Sequence, residues 1–452
     1  MKKNLTLFIL NAFTICVFAQ TNPIITGWLQ NTTGVKGRHY AAPSTTPIND
    51  ADSANIKTVL YSTGSVYVRA NGVPTYITGP FQDGNPSLTT SQNAIFKLPL
   101  NPTRNTGTPT ATTDGNIGLF INGVALFDYR DGVAWNNTTM ALCGGPGNPP
   151  CPGGPGASMD WNRDAVPAEK AGFDCAKGHP AMGNYHHHQN PSAFDLDKVV
   201  ISNVCTLYDA DGLYVIDSTV HSPLIGFAYD GFPIYGAYAY KNADGTGGIA
   251  RMKSSYTHRS ITTRTLGPAV NTTYPLGYFR EDYQYNTTSA STPDYLDEHN
   301  GRFCITPEYP AGIYCYFATV DANWNSSYPY AVGPTFYGVK SATKVTTITE
   351  PVTVYLDTTS SGVGINNLEQ NFSVDIFPNP ANDLIAVQVK NINRENIKVE
   401  LFDFTGKKVD ETTILQGSTI AYFDTKTLYS GQYIVKISNR NNISSYKIDL
   451  IK

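Results

Sequence analysis

Charged side chains are scarce in this 452-residue sequence, at 15% of the residues against roughly 25% in an average soluble domain. The 32 Lys and Arg and 36 Asp and Glu leave a net charge of −4. A nucleic-acid-binding protein would carry a basic patch or a high pI, so this balance excludes that class. Beyond the N-terminal segment, no apolar run reaches the roughly 20 residues that a membrane-spanning helix needs. The sequence therefore predicts neither a nucleic-acid partner nor a transmembrane segment.

Apolar repeats at helical spacing are also missing, whereas Gly (39), Pro (29) and Tyr (29) are frequent. Turn-forming residues that separate short runs of β-branched and aromatic residues are typical of an all-β protein. No internal repeat is present. Before residue 358 the clearest predicted strands are 59–68, 117–127, 198–207, 224–228, 313–320 and 344–356.

Motifs of common enzyme classes are absent as well. The sequence contains no Gly-x-Ser-x-Gly elbow, no phosphate-binding loop with its Gly-Lys-Ser/Thr ending, and no His-Glu-x-x-His helix. A dinucleotide-binding glycine fingerprint is missing too. Catalytic residues are therefore unknown at this stage, and the sequence does not decide whether the protein is an enzyme.

The N-terminus has the pattern of a signal peptide, which we assign to residues 1–19. Two lysines precede the mostly apolar stretch 5–17, and Ala19 supplies a small residue at the cleavage point, so the mature chain would begin at Gln20. A lipoprotein anchor at Cys16 is the alternative. Its preceding residue is Ile15, where a lipoprotein signal requires a small residue, so cleavage by signal peptidase is the better interpretation.

Six cysteines remain in the mature chain, and an even number in an exported protein favours disulfides. The first predicted pair flanks Gly-Gly-Pro-Gly-Asn-Pro-Pro, a turn-forming stretch, and the second flanks two short strands joined by a Pro/Gly turn. The third pair is assigned by elimination, and a Cys/His metal site is the alternative to it. The predicted pairs are Cys143–Cys151, Cys304–Cys315 and Cys175–Cys205.

The last 82 residues differ from the rest in composition, because 19 of them are charged against 49 of the preceding 370. They contain no Cys, His or Trp, and a polar stretch rich in Gly, Ser and Thr precedes them. Alternating apolar and polar residues in 384–389, 399–403 and 433–437 predict a small β-sandwich. We therefore divide the chain into a large β-rich domain (20–349), a linker (350–370) and a C-terminal domain (371–452).

Three segments of the tail carry a specific pattern: Asp-Ile-Phe-Pro-Asn-Pro-Ala at 375–381, Val-Glu-Leu-Phe-Asp running into Thr-Gly-Lys at 399–407, and Leu-Tyr-Ser-Gly-Gln-Tyr-Ile-Val-Lys at 428–436. In order and spacing they resemble the type A sorting domain of the type IX secretion system of Bacteroidota. The resemblance implies recognition by the type IX machinery, passage across the outer membrane, and a secreted or surface location. It also implies that the tail is usually removed and carries none of the chemistry.

Four of the eight histidines lie within ten residues, in Gly-His-Pro-Ala-Met-Gly-Asn-Tyr-His-His-His. On an extended chain His186 and His188 face one side and His187 the other. Side chains two apart on a strand are roughly 7 Å apart at Cα, close enough for two imidazoles to bind one metal ion. Neutral imidazole suits transition metals such as Zn or Cu, but a stable site needs further ligands. Histidines packed in a Tyr-rich core, or solvated in a loop, are the alternative.

Further segments with unusual composition lie on both sides of this cluster. Together they resemble the YHYH family, named for a Tyr-His-Tyr-His motif, over nearly all of the mature chain before the linker. One departure is His187, which stands where the family has its second Tyr. The family has no settled activity, so the resemblance predicts the fold and leaves the function open. The matching segments are 121–124 with Asp128, 161–165, 172–175, 178–180, 185–188, 221–236, 300–303 and 306–312.

We expect the remaining ligands of a metal site to lie near these segments. His179 is the nearest candidate, His221 and His299 adjoin matching segments, and Asp230 would complete the site or orient an imidazole. We predict a divalent transition metal, Cu or Zn, on the His cluster; an open position on it would permit hydrolytic or redox chemistry. The alternative is a metal-free binding module for polysaccharide or another extracellular ligand, with Trp135 and Trp324 as aromatic platforms.

Overall fold

The computed structural model describes residues 21–41, 46–81, 87–113, 115–154, 159–192, 212–357, 374–389, 396–403, 407–439 and 443–452. The predicted signal peptide, the predicted strand 198–207 and most of the predicted linker lie outside these residues. The chain divides into two compact units, Met1–Ser360 and Ser361–Lys452. Among the described residues, no helix combines the length and the hydropathy needed to cross a membrane.

The all-β prediction is confirmed. Within the described ranges the helices are single turns: α1 (Pro23–Thr26), α2 (Ala165–Ala168) and the 3-10 turns Lys170–Gly172, Arg280–Asp282 and Ser289–Ser291. The strands of the first unit are β1 (Lys36–His39), β2 (Ile48–Ser53), β3 (Ile56–Tyr61), β4 (Ser65–Ala70), β5 (Ile77–Thr78), β6 (Ala94–Pro99), β7 (Asn116–Phe120), β8 (Ala125–Phe127), β9 (Arg130–Asn136), β10 (Ala141–Cys143), β11 (Asn162–Asp164), β12 (His179–Ala181), β13 (Asn184–His187), β14 (Leu224–Ala228), β15 (Pro233–Tyr235), β16 (Tyr238–Tyr240), β17 (Ile249–Arg251), β18 (Tyr256–His258), β19 (Tyr283–Tyr285), β20 (Gly301–Cys304), β21 (Ile313–Phe317), β22 (Thr343–Val345) and β23 (Thr353–Asp357).

Two sheets supply the core of the first unit. The larger is a mixed sheet of eight strands in the order β12-β13-β8-β7-β14-β15-β21-β20, and the other is a five-stranded sheet in the order β22-β6-β4-β3-β23. Their apolar residues form one continuous cluster, in which Val59 and Phe96 of the smaller sheet join Leu119, Phe227 and Tyr316 of the larger. The larger sheet ends at the β12–β13 hairpin, and this edge carries the His cluster.

The sequence located strands better than it located their ends. Segment 224–228 is strand β14 as predicted. The predicted strands 59–68 and 117–127 are each a hairpin, β3–β4 and β7–β8, because turns at 62–64 and 121–124 interrupt them. Strands buried on both faces form nearly continuous apolar runs, so two of them joined by a short turn are easily read as one strand.

The tail forms its own unit of two antiparallel sheets, in the order β24-β25-β28 and β27-β26-β29-β30. Apolar residues from both sheets, including Ile385, Val399 and Val435, form a separate core. The predicted strands 384–389, 399–403 and 433–437 all lie within strands of this unit. Its strands are β24 (Val374–Phe377), β25 (Leu384–Val389), β26 (Ile397–Asp403), β27 (Lys408–Ile414), β28 (Ile420–Asp424), β29 (Gly431–Ser438) and β30 (Ile443–Leu450).

The cysteines differ in state. Cys143 and Cys151 form the predicted disulfide. Cys175 is also disulfide-bonded, and its predicted partner, Cys205, lies outside the described residues. Cys304 and Cys315 are free, buried thiols, contrary to the predicted bond.

The register of β20 and β21 explains the free thiols. Cys304 lies opposite Ile313, and Cys315 lies opposite Arg302. The two cysteines are therefore diagonal neighbours across the ladder and are not directly opposite each other; their thiols make a side-chain contact without a bond between the sulfur atoms.

Removal of the Cys143–Cys151 disulfide is expected to lower the free energy of unfolding of the first unit by roughly 2–3 kcal/mol, because the bond closes a short loop in the unfolded chain. The variant Cys143→Ser/Cys151→Ser, compared with wild type by urea denaturation, measures this loss. Equal stability of the two proteins would contradict the prediction.

Candidate metal centre

The His cluster lies on the hairpin formed by β12 and β13, at one edge of the eight-stranded sheet. The turn of this hairpin is Met182-Gly183, in which both residues have positive φ (49° and 81°), as a tight hairpin turn requires. The antiparallel register sets His179 directly opposite His186. The hairpin thus brings together two imidazoles that are seven positions apart in the sequence.

Alternation along β13 separates His187 from its neighbours, as the sequence predicted. His187 is fully buried on the opposite face, where its Nε2 lies 2.6 Å from the Tyr76 hydroxyl and its Nδ1 donates to the Lys177 carbonyl. Burial lowers the pKa of His187 to about 3, which keeps the ring neutral. The residue that departs from the family motif therefore points away from the cluster.

Gly178 makes room for this packing immediately before His179. A Cβ atom at this position would lie 2.4 Å from the Tyr185 hydroxyl and 2.9 Å from the His187 ring. The approach of strand β12 to β13 therefore requires glycine here.

The Nε2 atoms of three histidines converge on one point. His186 Nε2 lies 3.1 Å from His188 Nε2, which in turn lies 3.4 Å from His179 Nε2. The three rings are buried, and their ligand atoms all lie within 4.8 Å of one another. Tertiary structure thus groups three of the four clustered histidines as a set of potential metal ligands.

Two of these rings are fixed in one tautomer by backbone carbonyls. His186 Nδ1 lies 2.9 Å from the Asn184 oxygen, and His188 Nδ1 lies 2.7 Å from the Asp128 oxygen. A carbonyl only accepts, so each Nδ1 carries the hydrogen, and in the neutral rings both Nε2 atoms present lone pairs. Two such lone pairs 3.1 Å apart repel each other unless one ring takes up a proton at Nε2 or both bind a metal ion.

Glu169 is a fourth member of the cluster that the sequence analysis missed. Its Oε2 lies 3.3 Å from His179 Nε2 and 3.2 Å from His188 Nε2. The short helix α2 sets its position: the Asp164 side chain caps the start of α2, and the Glu169 backbone N–H closes its end by donating to Ala165. The signal that could have indicated Glu169 is its position in the sequence, ten residues before His179 and between the matching segments 161–165 and 172–175.

The electrostatics of these four residues are coupled. Burial alone would raise the pKa of Glu169, but its contacts with His179 and His188 hold that pKa far below the ordinary value. Burial and the neighbouring imidazoles lower the pKa of His186. For His188, burial lowers the pKa, and the Glu169 carboxylate more than reverses this, so the net pKa is raised. The cluster thus combines an anionic carboxylate with a neutral His186 and with a His188 whose affinity for a proton the carboxylate raises.

Two phenylalanines enclose the cluster. The Phe127 ring stacks on His186 at 3.9 Å between centroids, and the Phe173 ring meets His179 edge-on at 5.0 Å. These apolar walls exclude water from the imidazoles and strengthen the electrostatic interactions between them.

The other predicted ligands lie outside this group and have different partners. His221 Nδ1 donates to the Ser222 carbonyl, and its ring packs against Tyr235. His299 Nδ1 lies 2.6 Å from the Thr335 hydroxyl. Asp230 is fully buried and accepts hydrogen bonds from the Tyr316 hydroxyl and from the backbone N–H groups of Phe232 and Gly338.

The two proposed aromatic platforms differ from expectation. Trp135 is 6% exposed and packs edge-on against Tyr274, so it offers no surface for a ligand. Trp324 is partly buried, and its Nε1 donates to the Tyr238 hydroxyl.

Fold and site together define an all-β protein with a buried three-histidine, one-glutamate cluster and a separate β-sandwich tail. A family model described as YHYH protein matches residues 95–329, and one described as Secretion system C-terminal sorting domain matches residues 375–451. The first match covers more than half of the chain, which therefore belongs to the YHYH protein family. The tail directs the protein through type IX secretion to the cell surface or the extracellular space, and implies contact with the secretion machinery.

Comparison with individual proteins adds little. No curated protein matches the chain. One solved structure that does is the crystal structure of a DUF3244 family protein with an immunoglobulin-like β-sandwich fold from Bacteroides vulgatus. It is 14% identical over 16% of this chain and 82% of that chain, with a TM-score of 0.14. A TM-score this low does not establish a shared fold.

Proposed function

We propose that this exported protein is a metalloprotein in which His179, His186, His188 and Glu169 bind one divalent transition metal ion. The observation that carries the proposal is the convergence of the Nε2 atoms of His179, His186 and His188, whose ligand atoms all lie within 4.8 Å of one another, while the Nδ1 atoms of His186 and His188 are bonded to backbone carbonyls. One metal ion would bind these nitrogen atoms together.

The spacing of the four atoms supports a metal ion over a proton. A single proton bridges only one pair of atoms. The cluster has four contacts of 3.1–3.4 Å between imidazole nitrogens or between an imidazole nitrogen and the Glu169 carboxylate, more than one proton can bridge. Ligands at 2.0–2.1 Å from a tetrahedral ion are about 3.3 Å from one another. The spacing of the His179, His188 and Glu169 ligand atoms therefore fits one ion of this size. His186 Nε2, which lies 3.1 Å from His188 Nε2, would supply the fourth ligand.

The ligand types indicate which metal binds. Three imidazoles and one carboxylate suit Zn or Cu, whereas Mg and Ca prefer oxygen ligands alone. The carbonyl partners of His186 and His188 orient the rings and raise their basicity, as is usual around metal-bound imidazole. We therefore propose Zn or Cu, in line with the candidates from the sequence.

The number of protein ligands favours a stabilising role for the ion. Structural zinc sites are typically filled by four protein ligands, whereas catalytic sites keep a position for water or substrate. Here the ion would connect Glu169, the residue that caps the end of helix α2, to the β12–β13 hairpin. The rings are buried, so access for a substrate would have to be through Glu169, whose side chain is 27% exposed.

The test is metal analysis of the purified mature protein. Wild type is expected to contain about one Zn or Cu per chain, and the His186→Ala/His188→Ala variant close to none, because two ligands hold a transition metal poorly. His258→Ala is the matched control, since His258 is exposed and outside the cluster. Equal metal content in wild type and the double variant would reject the proposal, and so would metal-free wild type after growth and refolding with both ions.

A further inference from the structure

The three tail segments that carry the sorting-domain pattern converge at one end of the C-terminal sandwich. Segment 375–381 runs from β24 into the loop before β25, segment 399–407 begins in β26, and segment 428–436 begins just before β29. The register sets Asp403, at the end of β26, opposite Tyr433, near the start of β29. The pattern is therefore concentrated in one region of the fold, which we call the signature end.

Hydrogen bonds between the two sheets fix the signature end. Asn379 follows β24, and its Oδ1 accepts from the backbone N–H of Asp449 in β30. The Ala381 backbone donates to the Asp449 carbonyl and accepts from the Ile451 N–H. Thr425 is buried, and its N–H and hydroxyl groups donate to carbonyls of the loop before β25. A surface that is already ordered binds a partner with a smaller loss of conformational entropy.

Large apolar side chains are exposed at this end. They are Phe377, Leu384, Tyr429 and Ile451, with exposed fractions of 44%, 46%, 87% and 59%. Phe377 and Tyr429 belong to the segments that carry the pattern, yet neither is part of the buried core of the tail. Packing inside the tail therefore does not account for them. Exposed apolar residues grouped in one region of a surface indicate a site of protein interaction.

The outer face of the four-stranded sheet has a different character. Its charged side chains pair with one another, and the pairs join Glu400 and Glu411 to Lys398, Lys408 and Lys436. Exposed ion pairs of this kind are compatible with a surface that stays in water. The signature end, which is apolar, is therefore the better candidate for a surface that a partner covers.

We infer that the signature end is the surface through which the type IX machinery recognises the tail, and that its partner is a protein of this machinery with an apolar contact surface. The tail directs type IX secretion and so implies contact with that machinery. The segments that identify the tail converge here, together with aromatic side chains that the core does not use. Aromatic side chains often carry much of the binding energy of an interface. The inference is independent of the proposed metal ion, whose ligands belong to the other unit.

The experiment is export of the full-length chain in a Bacteroidota strain with an active type IX system, followed by immunoblots of periplasm, cell surface and medium. Tyr429→Ser is expected to lower the exported fraction at least about threefold, and Phe377→Ser/Tyr429→Ser about tenfold or more, because truncated interface aromatics weaken binding by such factors. Tyr429→Phe keeps the ring and is expected to be exported like wild type. Leu415→Ser is the matched control, since Leu415 is 60% exposed and follows β27 at the opposite end of the sandwich.

Thermal unfolding of each purified variant separates loss of recognition from loss of fold. The Tyr429 side chain is 87% exposed, so Tyr429→Ser is expected to unfold at the wild-type temperature. Sedimentation equilibrium tests the alternative occupant, a second copy of this chain. A wild-type dimer that Tyr429→Ser dissociates without changing export would overturn the inference. Wild-type export of Phe377→Ser/Tyr429→Ser, or an equal loss of export for Leu415→Ser, would overturn it as well.

Discussion

Chelation of the proposed metal ion is expected to lower the free energy of unfolding of the first unit by about 3–4 kcal/mol. This is the linkage free energy of an ion present at roughly 100–1,000 times its dissociation constant. In the proposed site the ion would fasten α2 to the β12–β13 hairpin through Glu169 and the three histidines. Differential scanning calorimetry with and without EDTA measures the change, followed on the transition of the first unit because two units need not unfold together.

Variants of the cluster separate metal binding from general destabilisation. His186→Ala/His188→Ala is expected to show one transition temperature with or without EDTA, because it has no ion to lose. Glu169→Gln keeps three imidazoles and is expected to retain part of the shift. A transition temperature of wild type that EDTA does not change would show that these histidines are core residues, satisfied by a shared proton.

Arg264→Ala is expected to destabilise the first unit by about 3–5 kcal/mol, the usual cost of removing one partner of a buried ion pair. Arg264 and Asp282 are buried and joined by two charge-assisted hydrogen bonds of 2.7 and 2.8 Å. The guanidinium also donates to the Pro268, Tyr274 and Pro275 carbonyls. Its loss would leave a carboxylate without its counter-charge, and three carbonyls without this donor.

Urea denaturation of Arg264→Ala, with Arg259→Ala as the control, measures this effect. Arg259 is exposed, so its replacement is expected to cost less than about 1 kcal/mol. The double variant Arg264→Met/Asp282→Asn removes both charges and is expected to recover part of the loss, because no unpaired charge remains. A loss for Arg264→Ala no larger than that for Arg259→Ala would contradict the prediction.

Strand content and the tail were predictable because both depend on local signals. Alternation of apolar and polar residues located β25, β26 and β29 in the sandwich, where one face of each strand is buried. In the buried sheets of the first unit that signal is weaker, so the sequence predicts single strands at 59–68 and 117–127, where the structure has hairpins. The pairing of Cys143 with Cys151 was also local, since one short turn brings the two together.

The sequence by itself determined the all-β class, the tail and the opposite orientations of His186 and His187, since each follows from residues close together in the chain. Tertiary structure alone decided the rest of the candidate site. It set His179, already a candidate from the sequence, opposite His186 through the hairpin register, added Glu169 at the end of a one-turn helix, and gave Asp230 other partners. The physical reason is that a cluster of buried ligands depends on which strands and turns pack together, and spacing along the chain does not encode that.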